Sequence, residues 1–189
     1  MITKKQHKML KLLDKNILKC EKCNLYKNGR CKPYYDPNNV KYVIIGEAPG
    51  KNEIENGIPF IGNAGIILWK SMKKFGFERK DFLIINSTNC RPVNGTRNGK
   101  PTKNQKESCF EWVRKYIKVL DPDNCMILGS HALSIFSKDL SITQYCGETF
   151  MFDGFSSKFT VNIHPAYCLY NPSKIEIFEN SIKMFKEAL

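Results

Sequence analysis

Cys20-Glu21-Lys22-Cys23 is the first stretch of this chain whose spacing suits a chemical task, because two intervening residues let both sulfurs face one ion at a chain bend. Two further ligands are needed. Cys90, just beyond the strand-like run 82–86, and Cys109, inside the helix-patterned segment that follows, are the best placed. Four thiolates suit tetrahedral zinc or a [4Fe–4S] cluster, and spacing does not separate the two. Cys125 opens a buried-strand pattern, while Cys31, Cys146 and Cys168 lack paired spacing, so these four read as structural.

The second candidate is GEAPGKNEIENGIPFIGNAG, from Gly46 to Gly65, directly after the apolar run Tyr42 to Ile45. Its Gly-x-x-x-Gly-Lys imitates a phosphate loop but is one residue short, and Asn52 stands where a magnesium-binding hydroxyl is required. Pro49 offers no N–H, and Glu47 adds a carboxylate where phosphate would sit. The stretch Gly95 to Thr102 fails in the same way, with Pro101 after its Lys, so no nucleotide cofactor is expected. Chemistry-bearing residues also end two strand patterns: Asn86 closes one and His164 follows another, in Val161 to Tyr167. His7 and His131 have no such setting.

These residues need a frame to converge on. Strand patterns at Lys41 to Ile45, Phe82 to Asn86, Cys125 to Leu128 and Phe159 to Ile163 alternate with helical ones at Ala64 to Phe75, Lys103 to Leu120, about Ala132 to Phe136, and about Lys174 to Ala188. A further helical pattern, Met9, Leu10, Leu13, Ile17 and Leu18, leads into Cys20. Thr102-x-x-Gln105 and Ser173-x-x-Glu176 read as capping boxes. Strand alternating with helix implies a parallel sheet covered on both faces, with ligands beyond the carboxyl ends of the strands. The GEAPG loop, Asn86 and His164 would share that edge. Neither repeat nor linker divides residues 1–189, which read as one domain.

Thirty Lys and Arg against 18 Asp and Glu leave a formal net charge of +12, which favours a polyanionic partner. The Lys residues are spread along the chain, so no basic arm stands out. There is no apolar run of about 18 residues to cross a membrane and no secretory leader pattern, so the chain is expected in the cytoplasm. Thiols are kept reduced there, which argues for metal ligation over disulfides. Asn94-Gly95-Thr96 then reads as a turn.

Taken in order, CEKC (Cys20 to Cys23), GEAPG, GIPFIGNAG (Gly57 to Gly65), CRP (Cys90 to Pro92) and HPAY (His164 to Tyr167) resemble the family 4 uracil-DNA glycosylases, the iron–sulfur branch of their superfamily. The resemblance implies a three-layer α/β/α sandwich around a four-stranded parallel sheet. It also implies a structural [4Fe–4S] cluster on Cys20, Cys23, Cys90 and Cys109, and hydrolysis of the N-glycosidic bond of a flipped-out uracil. The protein would act as a monomer on single- or double-stranded DNA in the nucleoid. Phe60 would stack on the base, Asn86 would read its edge, and His164 would donate to its O2 as charge builds there. Glu47 would position water or steady the cationic sugar, and Gly46, Ala48 and Gly50 would line the base and sugar. The first branch of the superfamily carries an Asp where this chain has Ala48.

Three departures are visible. The loop Arg91 to Thr102 is long and has Val93 where a second Pro is common; it lacks a His, which argues against the DNA-crosslinking subgroup; and Tyr170 stands where an Arg is frequent. A Tyr there could stack in the DNA. The rival reading is a catalytically silent iron–sulfur DNA-binding accessory of replication or repair.

Overall fold

A computed structural model describes residues 2–189. Helix α1 (Lys4–Ile17) precedes strand β1 (Tyr42–Gly46), helices α2 (Lys51–Asn56) and α3 (Asn63–Lys74), and strand β2 (Phe82–Asn86). A hairpin of β3 (Val93–Asn94) and β4 (Arg97–Asn98) leads to α4 (Lys103–Leu120), β5 (Asn124–Leu128) and α5 (Ser130–Leu133). Then come β6 (Thr149–Met151), β7 (Lys158–Asn162), α6 (Pro165–Tyr170) and α7 (Ile175–Glu187). The main sheet runs β2-β1-β5-β7-β6, with the first four strands parallel and β6 antiparallel to β7. The expected four-stranded parallel sheet is thus present, and a three-residue edge strand extends it.

Both faces of the parallel strands are buried, because alternate residues enter two separate apolar cores. Val43, Ile45, Leu83, Ile85, Cys125 and Ile127 join α1 and α4 on one face. Ile44, Phe82, Ile84, Met126 and Leu128 join α3 and α7 on the other. Cys125 is fully buried, which accords with its reading as a small core residue. In α1 only Leu10 and Ile17 of the periodic set are fully buried; Met9 and Leu18 are exposed.

The capping box at Thr102 forms, with its side chain accepting from the Gln105 N–H. The one expected at Ser173 does not. Asn171 and Pro172 start a 3-10 turn through Lys174, and α7 grows directly from it, so Ser173 lies inside a helical run with no open end to cap. The expected turn lies at Gly95 and Thr96, which join β3 to β4 with Gly95 in the left-handed region, while Asn94 is the last residue of β3. Among the described residues no helix is long and apolar enough to cross a membrane.

Candidate active site and cysteine pocket

Parallel register decides what meets at the carboxyl edge. Gly46 pairs with Asn86 at the ends of β1 and β2, and the chain leaves β1 and β5 in opposite directions, opening a crevice between their loops. A cleft of about 340 Å³ occupies this edge, within the usual size for a small-ligand site. Ala48, Gly50, Phe60, Asn86 and His164 all line it. Gly46 lies behind the lining. A Cβ there would stand 2.4 Å from Asn86 Oδ1 and 2.6 Å from the Phe60 ring, so only glycine lets these two side chains close over the strand end.

Asn86 is 3% exposed, and its Oδ1 is buried with no hydrogen-bond partner. Leaving such an acceptor unfilled costs about 1–3 kcal/mol, and the residue that carries it lines the cleft. Phe60 is also buried, and its ring lies near the His164 imidazole, with centroids 5.8 Å apart and planes 31° from parallel. Its backbone is left-handed at φ 54°, which a bulky residue adopts only under outside constraint. That constraint is visible: Trp69 Nε1 and Arg79 both donate to the Phe60 carbonyl, each at 3.1 Å. Glu53 secures the next residues, accepting from Ile61 N–H at 3.0 Å, Gly62 N–H at 2.7 Å and, on its other oxygen, Gly50 N–H at 3.0 Å. One carboxylate therefore ties the GEAPG loop to the start of α3.

His164 caps α6. Its Nδ1 accepts the Ala166 N–H at 3.2 Å, which leaves the proton on Nε2. Burial, helped by the neighbouring His131, pushes its pKa down to about 4, so the ring is neutral near pH 7.

Glu47 sits beside the cleft instead of in its lining. Its carbonyl is held by Ser87 Oγ at 2.7 Å and Thr88 N–H at 3.1 Å, and its carboxylate faces His131, with Oε1 3.9 Å from Nε2. Burial raises the Glu47 carboxyl above its ordinary range, while Lys100 and Lys106 pull the other way. His131, set aside on sequence grounds, is thus part of this edge. It stands on α5, three residues beyond β5, so the strand-end rule that picked out His164 applied to it as well. Sequence reading also missed Arg79, Trp69 and Glu53, whose partners are backbone groups distant in sequence. For Glu53, the Gly50-x-x-Glu53 spacing at the start of α2 was a usable signal.

Cys20 and Cys23 after α1, Cys90 in the loop after β2 and Cys109 within α4 line one small pocket. Among the described residues no group of three or more His, Cys, Asp or Glu is close enough to hold a metal ion. Three N–H groups nevertheless point at two of these sulfurs. Cys109 Sγ accepts from the Asn89 N–H at 3.4 Å and from Asn89 Nδ2 at 3.7 Å, and Cys20 Sγ accepts from Trp112 Nε1 at 3.4 Å. Burial, then the nearby sulfurs, push Cys90 up to about 12, and burial pushes Cys109 up to about 11. A bound cation would act against both effects by stabilising the thiolates.

The chain matches the model of the uracil DNA glycosylase superfamily over residues 32–189. It is 32% identical to a type-4 uracil-DNA glycosylase of Thermotoga maritima over 171 residues, covering 89% of this chain and 87% of that protein. It is also 32% identical to the Saccharolobus solfataricus protein of the same name, covering 95% and 86%. An Archaeoglobus fulgidus protein, again so named, is 30% identical, covering 92% and 89%.

Proposed function

The chain belongs to the uracil-DNA glycosylase superfamily, and on that premise we propose that it excises uracil from DNA by hydrolysis, leaving an abasic site. The observation that carries this reading is the orphan Oδ1 of Asn86 in the cleft. Uracil presents N3–H beside O4, so the Asn86 amide can accept from the first and donate to the second. Cytosine has an unprotonated N3 and an amino group at that edge, which would set acceptor against acceptor and donor against donor. Buried polar groups left unpaired in this way discriminate strongly.

The base must leave its stack to reach the cleft, where Phe60 supplies the face and Asn86 the edge. As the glycosidic bond breaks, negative charge gathers on the uracil and positive charge on the sugar. His164 meets the first with a neutral Nε2–H donor already oriented by Ala166. Glu47 meets the second, as a carboxylate that orients water or steadies the cation. Gly46, Ala48 and Gly50 let the loop pass close to base and sugar, and Lys51, exposed at the cleft rim, meets a phosphate.

Cys20, Cys23, Cys90 and Cys109 fit a [4Fe–4S] cluster by donor type, and N–H groups are aimed at the sulfurs of Cys20 and Cys109. When bound, the cluster staples the segment after α1 to the loop after β2 and to α4; hydrolysis requires no redox step from it. We read residues 1–189 as one domain working as a monomer in the cytoplasm, where it meets the nucleoid, and the surplus positive charge as its means of approach to single- or double-stranded DNA.

The test is excision from three oligonucleotides identical except for one U, C or T, scored as alkali-labile breaks. Breaks confined to the uracil strand are expected. Tight binding without breaks would instead identify a silent accessory protein.

A further inference from the structure

We propose that Arg79, backed by Trp69, is a positioning residue for excision, holding Phe60 in the backbone conformation that turns its ring toward the flipped base. This rests on the reading of Phe60 as the stacking platform. Arg79 is absent from the cleft lining; with Trp69 it walls a separate surface hollow behind the Phe60 loop. Its guanidinium donates to two successive carbonyls, Pro59 and Phe60, and Trp69 Nε1 adds a second donor to the Phe60 carbonyl. The guanidinium is itself fixed between two aromatic faces, 4.7 Å from the Tyr34 ring and 5.0 Å from the Trp69 ring.

The geometry explains why three donors gather on this one turn. Phe60 has a left-handed backbone although it carries a large side chain. A Cβ on Gly65 would come within 2.0 Å of the Phe60 carbonyl oxygen, so that oxygen is pressed against α3 on one side while Arg79 and Trp69 draw it from the other. Releasing the carbonyl frees the peptide to rotate. The ring would then leave its place beside Asn86 and His164, and a displacement of about 1 Å at such a site can slow reaction about a hundredfold.

A double-mutant cycle separates this role from general support of the fold. Single-turnover excision and inhibition by free uracil are measured for wild type, Arg79→Lys, Phe60→Ala and the double variant, with the thermal midpoint of each. Lys carries the charge but cannot bridge two carbonyls in the fixed fork of Arg. Arg79→Lys should slow excision and weaken uracil inhibition by about tenfold or more. In the Phe60→Ala background the same change should alter either quantity by no more than about twofold.

A full tenfold effect in that background, or none in the wild type, overturns the assignment while leaving the platform reading intact. Wild-type behaviour of Phe60→Ala sinks the platform reading and the role of Arg79 with it. If Arg79→Lys does not fold, the same cycle with Trp69→Phe decides, since that change removes one N–H and keeps the ring packing.

Discussion

The Ala166 N–H donates to His164 Nδ1 at 3.2 Å, and this one bond selects the ring nitrogen that carries the proton into the cleft. A neutral imidazole with its proton on Nε2 can donate to the uracil oxygen without first being charged. Nothing in that step requires His164 to titrate near neutrality. Excision should therefore show no loss between about pH 6 and 8 attributable to this ring, whose pKa lies near 4.

The same depressed pKa has a consequence for stability. The unfolded chain binds a proton at His164 near its ordinary pKa of about 6.5, whereas the folded chain does so only near 4. Stability from this group is complete above about pH 6.5 and is lost as pH falls toward 4, by on the order of 3 kcal/mol. Denaturant titrations of wild type and His164→Gln at pH 7 and pH 4.5 should show the smaller acid loss in the variant.

Glu47 should govern the acid side of the activity profile. Burial holds its carboxyl above the ordinary range, so kcat/KM should fall with decreasing pH at a higher pH than an exposed carboxylate would give. His131, Lys100 and Lys106 face the same group and set where that limb lies. Glu47→Gln should slow excision by about a hundredfold and abolish the limb. A limb that survives in Glu47→Gln would assign it to another group.

Gly46→Ala should be nearly inactive, because its methyl group would strike both Asn86 Oδ1 and the Phe60 ring. Gly57→Ala serves as control, since a Cβ there meets nothing within 4 Å although its positive φ strains the change. Excision by Gly57→Ala within a few-fold of wild type, against loss in Gly46→Ala, is the expected result.

The cysteine assignment divides the eight thiols into two sets. Cys109→Ser should release iron and acid-labile sulfide from anaerobically purified protein, whereas Cys125→Ala should keep both and lose only the stability of a buried small residue, about 1–2 kcal/mol. Metal analysis of the two proteins checks this directly. Iron retained in Cys109→Ser would count against the proposed ligand set.

Much of the frame was legible because the parallel strands are short apolar runs followed by clear helical patterns. Phe82–Asn86 and Lys103–Leu120 have the boundaries their sequences suggest. Edge strand β6 was not legible, since three residues at the sheet margin carry too little apolar periodicity to stand out. Motif order brought Phe60, Asn86 and His164 to notice, and the cleft gathers them. His131 was passed over because no motif surrounds it; its importance comes from the switch point, which places the β5 loop against the β1 loop. Arg79 was silent for a different reason, as its partners are carbonyls and aromatic faces, and backbone carbonyls leave no trace in residue types.

The most direct measurement is uracil release from an oligonucleotide carrying a single uracil by anaerobically purified wild type, Asn86→Ala and His164→Ala, with iron determined on the same samples. Wild type should cleave, and both variants should be slower by about a hundredfold or more while keeping their iron. Wild-type rates in either variant, or no release by any of the three, would contradict the assignment of this cleft to uracil excision.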